Sequence, residues 1–515
     1  MSYRPHPAPM EAMFGYDPVQ VLPANHLARF IDTIVQEAVQ PAPGGNYRGQ
    51  PQFDPRLLAK VLLYGYSTGI RSSRQLERHC SESLPYLYLT RGDTPGYRTL
   101  CTFRVEQREL IEQAWNALFD VAGQAGLNRL GRITIDSTKI RADAAPEATV
   151  AEKEFESCKS ELERILKEAE EIDASEDNQA PGQTQLERTV STDQMRDILR
   201  RLRKRRAQER KPKSDNPEPA SPAIELPVGK TLSPRMRKRI EAGVAAIEAA
   251  QKEGRKHVCL TDPDARMMGE GRDKRLHQCH TFEAAVDNEL LVVGQNGNSP
   301  TDNDRMIPIV EAARAQEPEG LSAVDADSGY FAGAAVAALI EEGLDLCVPD
   351  SNTACDLHRD QPIGTTLART SGSVAFDYNE EKDIYTCPEK NVLRFRRAQS
   401  ERGQDYREYR AERSCNGCPL RAQCGRKSQG NFRTLRTSAI KAGIAQHLDR
   451  FSEEQHRKRY KQRGPAVETV FGFMRAVLNY DRWKLRGSDR IAAEATIFKA
   501  AYQIRKVHQR IKAMA

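Results

Sequence analysis

The sequence predicts an α/β core, a mixed sheet with flanking helices, preceded by an all-α domain and broken by one helical and one small cysteine-bearing insertion. Three observations carry this. Up to about residue 130 the apolar residues recur at helical spacing; from residue 132 to 350 short β-rich runs alternate with helical patterns; and 515 residues are too many for one small core. The expected segments are a helical domain over 1–130, a core over 131–350 with a helical insertion at 146–256, a cysteine-rich insertion over 351–430, and the last core helices over 431–515. With 39% hydrophobic and 29% charged residues the chain falls in the soluble globular class. No run approaches the roughly 20 apolar residues of a membrane span. The start, MSYRPHPAPMEAMFGYDPVQ, has no apolar h-region, so export by a signal peptide is not expected. Eleven cysteines, mostly scattered singly, suit a reducing cytosol better than a disulfide framework.

In the first segment, PRLLAKVLLYGYSTG (55–69) carries the stripe Leu57, Leu58, Val61, Leu62 and Tyr64. SSRQLERHC (72–80) offers Ser72 or Ser73 as a cap and places Arg74, Arg78 and His79 in a helix just after Arg71. YRTLCTFRVEQRELIEQAWNALFDVAGQAG (97–126) predicts one longer helix. Short helices on tight turns resemble a helix-turn-helix array, which makes Arg71, Arg74 and Arg78 candidates for DNA contact. RITID is a short β-run that ends in Asp136. VAEKEFESCKSELERILKEAEEIDA (150–174), with Leu162, Ile165 and Leu166 on one face, predicts a helix. The basic stretch 194–213, a Pro- and Ser-rich linker at 214–227 and a helix over 233–254 complete the insertion. QCHTFEAAVDNELLVVGQNG (278–297) predicts a hairpin. Strand SAVDAD, helix 332–343 and strand 344–350 form a parallel β-α-β unit. Helices over 466–479 and 488–513 close the chain.

Charge is unevenly divided. Residues 388–515 hold 30 Lys/Arg and 12 Asp/Glu, a net +18 that leaves −12 on the preceding 387 residues. A basic tail with Tyr460, Trp483 and Tyr502 among its arginines suits a polyanion such as nucleic acid, and equally a solvated basic face.

Three carboxylates carry the strongest chemistry. Asp136 ends the first core strand, Asp327 ends the strand in SAVDADSGY, and Glu468 lies in a late helix. Carboxylates converging from separate elements suit two hard divalent cations, which serve phosphodiester chemistry. At these residues the sequence resembles the DDE insertion-sequence transposases. IDSTKIRADAA (135–145) is similar to the first-Asp motif, DPDARMM (262–268) and QCHTFEAAVD (278–287) to the stretch leading into the second and third core strands, and ADSGYF (326–331) to the second-Asp motif. Tyr460, Arg463, Glu468 and Arg475, within YKQRGPAVETVFGFMR, fall where the family has a Tyr–Arg–Glu–basic signature. The resemblance implies a ribonuclease H-like core, Mg²⁺ (two ions, Mn²⁺ substituting) on Asp136, Asp327 and Glu468, and auxiliary roles for Tyr460, Arg463 and Arg475. Asp325 lies on the same strand face as Asp327; the Gly329-Tyr330 turn that follows favours Asp327. Phe471 and Arg475, three and seven residues after Glu468, are expected on its stripe. The run HQCH (277–280) departs from the family pattern and is expected to pack.

Cys387, Cys415, Cys418 and Cys424, with turns at Pro388, Gly417 and Pro419, match a four-thiolate structural Zn²⁺ site. The few apolar residues around them, Val392, Leu393, Phe395 and Leu420, are not expected to form a core by themselves. The other cysteines are expected to be small buried hydrophobes or surface thiols. No GxxxxGK[ST], HExxH or GxSxG run is present, so P-loop, zincin and α/β-hydrolase chemistries have no seed. The resemblance implies a DNA transposase that cleaves insertion-sequence ends and transfers the strand to target DNA. Its partners would be double-stranded DNA (terminal inverted repeats and target) and further copies of itself, a homodimer or higher on DNA, in the cytosol or nucleoid and without a membrane. A catalytically decayed DNA-binding protein, or a nuclease without strand transfer, would share these motifs.

Overall fold

In the computed structural model the described residues are 18–42, 51–127, 131–176, 194, 231–270, 275–297, 305–316, 320–358, 374, 376–379, 382–401, 404–421, 424, 431–438 and 442–514. Most of the basic stretch 194–213 and all of the linker 214–227 lie outside them. They divide into two units, Met1–Thr138 with Thr281–Tyr480 and Ala492–Ala515, and Lys139–His280 with Asp481–Ile491.

The first unit begins with seven helices: α1 Pro18–Val21, α2 Leu27–Ala38, α3 Pro55–Ser67, α4 Ser73–Glu82, α5 Leu84–Thr90, α6 Tyr97–Glu106 and α7 Arg108–Gln124. Asp54 starts α3 by accepting the Arg56 N–H at 2.8 Å, with Pro55 in the first helical position. Gly65 is required by close packing, since a Cβ there would stand 2.4 Å from Leu76 Cδ2 and 2.9 Å from the Ile70 carbonyl. The single helix expected over 97–126 is two. Gln107, at φ −112° and ψ 40°, leaves the helical region between them.

Strand β1 (Gly131–Arg141) leaves the first unit after Thr138. It does not end at Asp136; STKIR continues it, since Thr and Ile sit well on a pleated strand. In the second unit β2 (Thr149–Ala151) pairs antiparallel with β3 (His257–Cys259). Beside them the helices Phe155–Glu176 and Pro234–Lys252 share an apolar core that includes Leu162, Ile165, Ile240 and Ile247. Ser233 caps the second helix, its hydroxyl accepting the Met236 N–H at 3.4 Å. β4 (Arg266–Glu270) pairs antiparallel with the first half of β5 (Arg275–Asp287). Trp483, fully buried, donates its backbone N–H to the Arg141 carbonyl at 2.8 Å.

Back in the first unit, the second half of β5 pairs antiparallel with β6 (Val292–Gly297), as the hairpin reading expects. β1 runs parallel to β7 (Leu321–Ala326), and β7 parallel to β8 (Asp345–Cys347) through the helix Gly333–Glu341. The strand order β6-β5-β1-β7-β8 is a mixed sheet, as the sequence predicts. Phe282 of β5 meets Phe471 of the long helix Glu454–Leu478 and Phe498 of the final helix Ser488–Met514, with centroids 6.4 and 5.8 Å apart. The long helix starts a dozen residues before the expected 466, because Pro465 is accommodated inside it. Tyr460, Trp483 and Tyr502 are buried, so these three aromatics serve packing and offer no stacking face.

The cysteine-bearing stretch departs most from expectation. It is a five-stranded antiparallel sheet, β9 (Asp377–Asn379), β10 (Ile384–Thr386), β11 (Val392–Glu401), β12 (Gln404–Ala411) and β13 (Thr434–Ser438), in the order β13-β12-β11-β10-β9. Phe376, Tyr385, Leu393, Tyr409 and Leu435 form its own apolar core. Tyr385 lies 4.6 Å from Tyr378 and 4.8 Å from Tyr409 between ring centroids. Tyr378, Tyr385 and Tyr409 supply apolar area beyond Val392, Leu393, Phe395 and Leu420, so the segment has a core of its own, contrary to expectation.

Candidate active site

The parallel register pairs Ile135 of β1 with Ala326 of β7, so the next residues, Asp136 and Asp327, stand beside one another where the two neighbouring segments run on. Asp327 caps a 3-10 turn, Ser328–Tyr330, its Oδ1 accepting the Gly329 N–H at 2.8 Å. Asp136 Oδ1 accepts the Ser137 N–H at 2.8 Å, and its Oδ2 accepts from Arg463 Nη1 at 3.1 Å. Burial pushes the Asp136 carboxyl up to about 6; Arg463 opposes this and Asp327 adds to it. Burial works against the charge of Arg463, but Asp136 and Asp327 outweigh it and raise its pKa. The Arg463 guanidinium lies 5.5 Å from the ring centroid of the buried Tyr460, which fixes its direction.

Asp325 is occupied elsewhere. It is 3% exposed and accepts from Arg459 Nε at 2.7 Å, while Arg459 Nη2 reaches the Asp345 carbonyl at 2.9 Å. That pairing leaves Asp327 as the carboxylate of its strand nearest Asp136. Sequence reasoning missed Arg459, which nothing in RKRYKQR distinguishes from its basic neighbours.

Glu468 and Arg475 are both exposed on the long helix, and Arg475 Nη2 donates to Thr138 Oγ1 at 2.7 Å. Seven residues make nearly two helical turns, so Glu468 lies about 20° from the line of Arg475 and about 10 Å along the axis. Phe471 leaves the expected stripe and turns into the core against Phe282.

Arg71, expected at a DNA surface, is instead buried. It is 3% exposed, and its Nη2 donates to Glu494 Oε1 at 2.7 Å and its Nη1 to the Asn479 carbonyl at 2.7 Å. Its guanidinium also lies 4.3 Å from the Tyr480 ring centroid. A charge so placed is satisfied inside the protein and presents nothing to a phosphate. Arg74 and Arg78 remain exposed on α4, Arg74 5.1 Å from the Tyr97 ring centroid.

Cys387, Cys415 and Cys424 pack against the core of the small sheet. Burial raises the Cys424 thiol; nearby Arg433 opposes this, and Cys415, Cys387 and Cys418 add to it. Asn391 ties two of these thiols together, its backbone N–H 3.3 Å from Cys387 Sγ and its Nδ2 3.8 Å from Cys415 Sγ. Among the described residues no group of three or more His, Cys, Asp or Glu side chains is arranged to hold a metal ion, at the carboxylates or at the cysteines. Among them, too, no helix is long and apolar enough to cross a membrane.

Two protein families match the chain. Residues 17–106 match the family described as Transposase domain (DUF772), and residues 386–508 match Transposase DDE domain. The second match contains strands β11, β12 and β13 of the small sheet and the long helix with Arg463, Glu468 and Arg475. No curated protein matches the chain.

Proposed function

Since its two matched domains make the chain a DDE-type insertion-sequence transposase, an enzyme that acts on DNA, we propose that Asp136, Asp327 and Glu468 are its catalytic carboxylates. The observation that carries this reading is the placement of Asp136 beside Asp327 with Arg463 across them. The donor set fits a hard divalent ion: oxygen ligands only, with burial and Asp327 raising Asp136 in a way that a cation would relieve. Mg²⁺, as two ions and with Mn²⁺ able to substitute, would be held by these three side chains. When bound it supplies a polarised water and a stabilised leaving oxygen. The chain's own contribution is orientation. Arg463, backed by Tyr460, and Arg475, anchored on Thr138, aim planar guanidinium groups where phosphate oxygens would lie. In this reading the reaction is that of the family's class, cleavage at the element ends and strand transfer into target DNA.

The core is ribonuclease H-like in this reading, and the segments 1–130, 131–350, 351–430 and 431–515 remain its functional divisions. Arg74 and Arg78 of the N-terminal helices contact the terminal inverted repeats. The working form is a homodimer or larger assembly on DNA, in the bacterial cytosol. The four cysteines are a thiolate set suited to one structural Zn²⁺. Incubating the protein with the DNA ends that flank its own gene and Mg²⁺, and resolving products on a denaturing gel, tests the function. Nicked ends and joined strands are the expected products. Ends that are bound but never cut, with Mg²⁺ or Mn²⁺, would overturn it.

A further inference from the structure

The second unit contains a groove of about 480 Å³ that none of the proposed catalytic residues lines. Its rim carries the exposed cations Arg141, Lys153 and Arg482, and among the described residues no aspartate or glutamate lines it. One wall is apolar. Met267 contributes to it, and Leu276, 61% exposed, offers its side chain beside it. The HQCH run that departs from the family pattern also reaches this groove. Its His280 is fully buried and bonded to Asp262 at 2.8 Å, but His277 and Gln278 line the opening. Gln278 is 8% exposed; its Nε2 donates to Thr149 Oγ1 at 3.2 Å, and its Oε1 is buried without a hydrogen-bond partner.

These features ask for one kind of guest. The cations call for negative charge, the leucine and methionine for a flat apolar face, and the orphaned amide oxygen for an N–H donor. A free phosphate would answer only the first. The volume suits one small-molecule-sized unit and excludes a duplex. We propose that this groove holds a single unstacked nucleotide of bound DNA, its base against Leu276 and Met267 and its phosphate against the rim cations. The proposal rests on the reading of the chain as a DNA transposase. A base leaves the stack at least cost where the strand is already unpaired, as at a freshly cut end.

Photo-crosslinking of the full-length protein tests this, with a short single-stranded oligothymidylate carrying 5-iododeoxyuridine, at fixed salt and without divalent metal. Crosslinks are expected on the peptide spanning β4 and β5. Anisotropy titration should show affinity about tenfold weaker for L276D and for K153A, both surface substitutions, than for the unaltered chain. Crosslinks confined to the N-terminal helices or the long helix would overturn the proposal and leave the transposase reading intact. Competition by inorganic phosphate as strong as by thymidine monophosphate would reduce the groove to an anion site and also overturn it. Absence of any DNA binding would remove both readings together.

Discussion

The carboxylate pair and the cysteine-bearing sheet were both marked in the sequence by a few polar residues at suggestive spacing, yet they are built in opposite ways. Asp136 and Asp327 are brought together by backbone: two parallel strands in register carry them to neighbouring positions. The cysteines sit on a sheet that already has an aromatic core, so the fold there does not wait for them. The lesson is that a motif residue is essential to chemistry, to stability or to neither according to what its neighbours have already supplied.

The largest expected effect breaks the comparison at the carboxylates. D136N and D327N should each lower cleavage by about a thousandfold or more, the scale of several kcal/mol of lost metal-assisted stabilisation. Their melting should change little. D325N should do the reverse, costing about 3 kcal/mol by leaving the buried Arg459 short of its partner, with a smaller effect on the chemical step once folded. Single-turnover gels and thermal melts on the three variants separate these outcomes. Wild-type nicking by D327N would move the site to Asp325.

Next come two tests within the N-terminal helices, one of Arg71, which the sequence misplaced, and one of Arg74, which is exposed as expected. R71A should cost about 3–5 kcal/mol, because it strands Glu494, whose side chain is fully buried. R74A, on the exposed face of α4, should melt normally and weaken end binding in a footprint. Within the small sheet, Y409A should cost about 3–4 kcal/mol and expose that segment to protease. An unchanged digestion pattern would mean that the tyrosines are not its core.

Legibility followed the same division. The order of the core strands could be read because each carries its own periodicity, and the neighbouring positions of Asp136 and Asp327 follow from the parallel pairing of the two β-rich runs that carry them. The end of β1 and the start of the long helix could not, since Thr, Ile and an internal Pro are each compatible with more than one backbone state. Arg71 was misread because an arginine beside a helix cap looks alike whether it meets water or Glu494, 423 residues away. The small sheet was missed because its apolar area comes from Tyr378, Tyr385 and Tyr409, which a count of aliphatic residues leaves out.

A third buried carboxylate sharpens what burial alone does. Asp287 is 2% exposed, accepts the Leu291 N–H at 2.7 Å and the Glu289 N–H at 2.9 Å on Oδ1, and leaves Oδ2 without a partner. Burial pushes its pKa up to about 7, against the pull of those backbone donors. The folded state therefore binds this proton more tightly than the unfolded chain does. Its contribution is complete below the ordinary carboxylate value of 3.8 and is lost as pH rises through 7. D287N should flatten that decline, a difference on the order of a few kcal/mol by pH 8. Melting curves of both proteins from pH 4 to 8 check it; parallel curves would show Asp287 ionised in the folded state.

The smallest expected effect falls on the cysteines, and it decides what zinc is for. If thiolate coordination folded the segment, stripping the metal would unfold the sheet, as in small domains that have no core of their own. Here Phe376, Tyr385, Leu393, Tyr409 and Leu435 are buried together, so the sheet should survive. If the proposed zinc is bound, it would add a tie between Cys387, after β10, and the turn that carries Cys415, Cys418 and Cys424. Elemental analysis should find about one zinc per chain, the stoichiometry of a four-thiolate site. C418S should lower that content, open the bonds near residues 415–424 to protease, and leave global melting within about 1 kcal/mol of the unaltered chain. Global unfolding on chelation would restore the metal as the organiser of this segment. Zinc-free protein with unchanged proteolysis would make the four thiols ordinary packing residues.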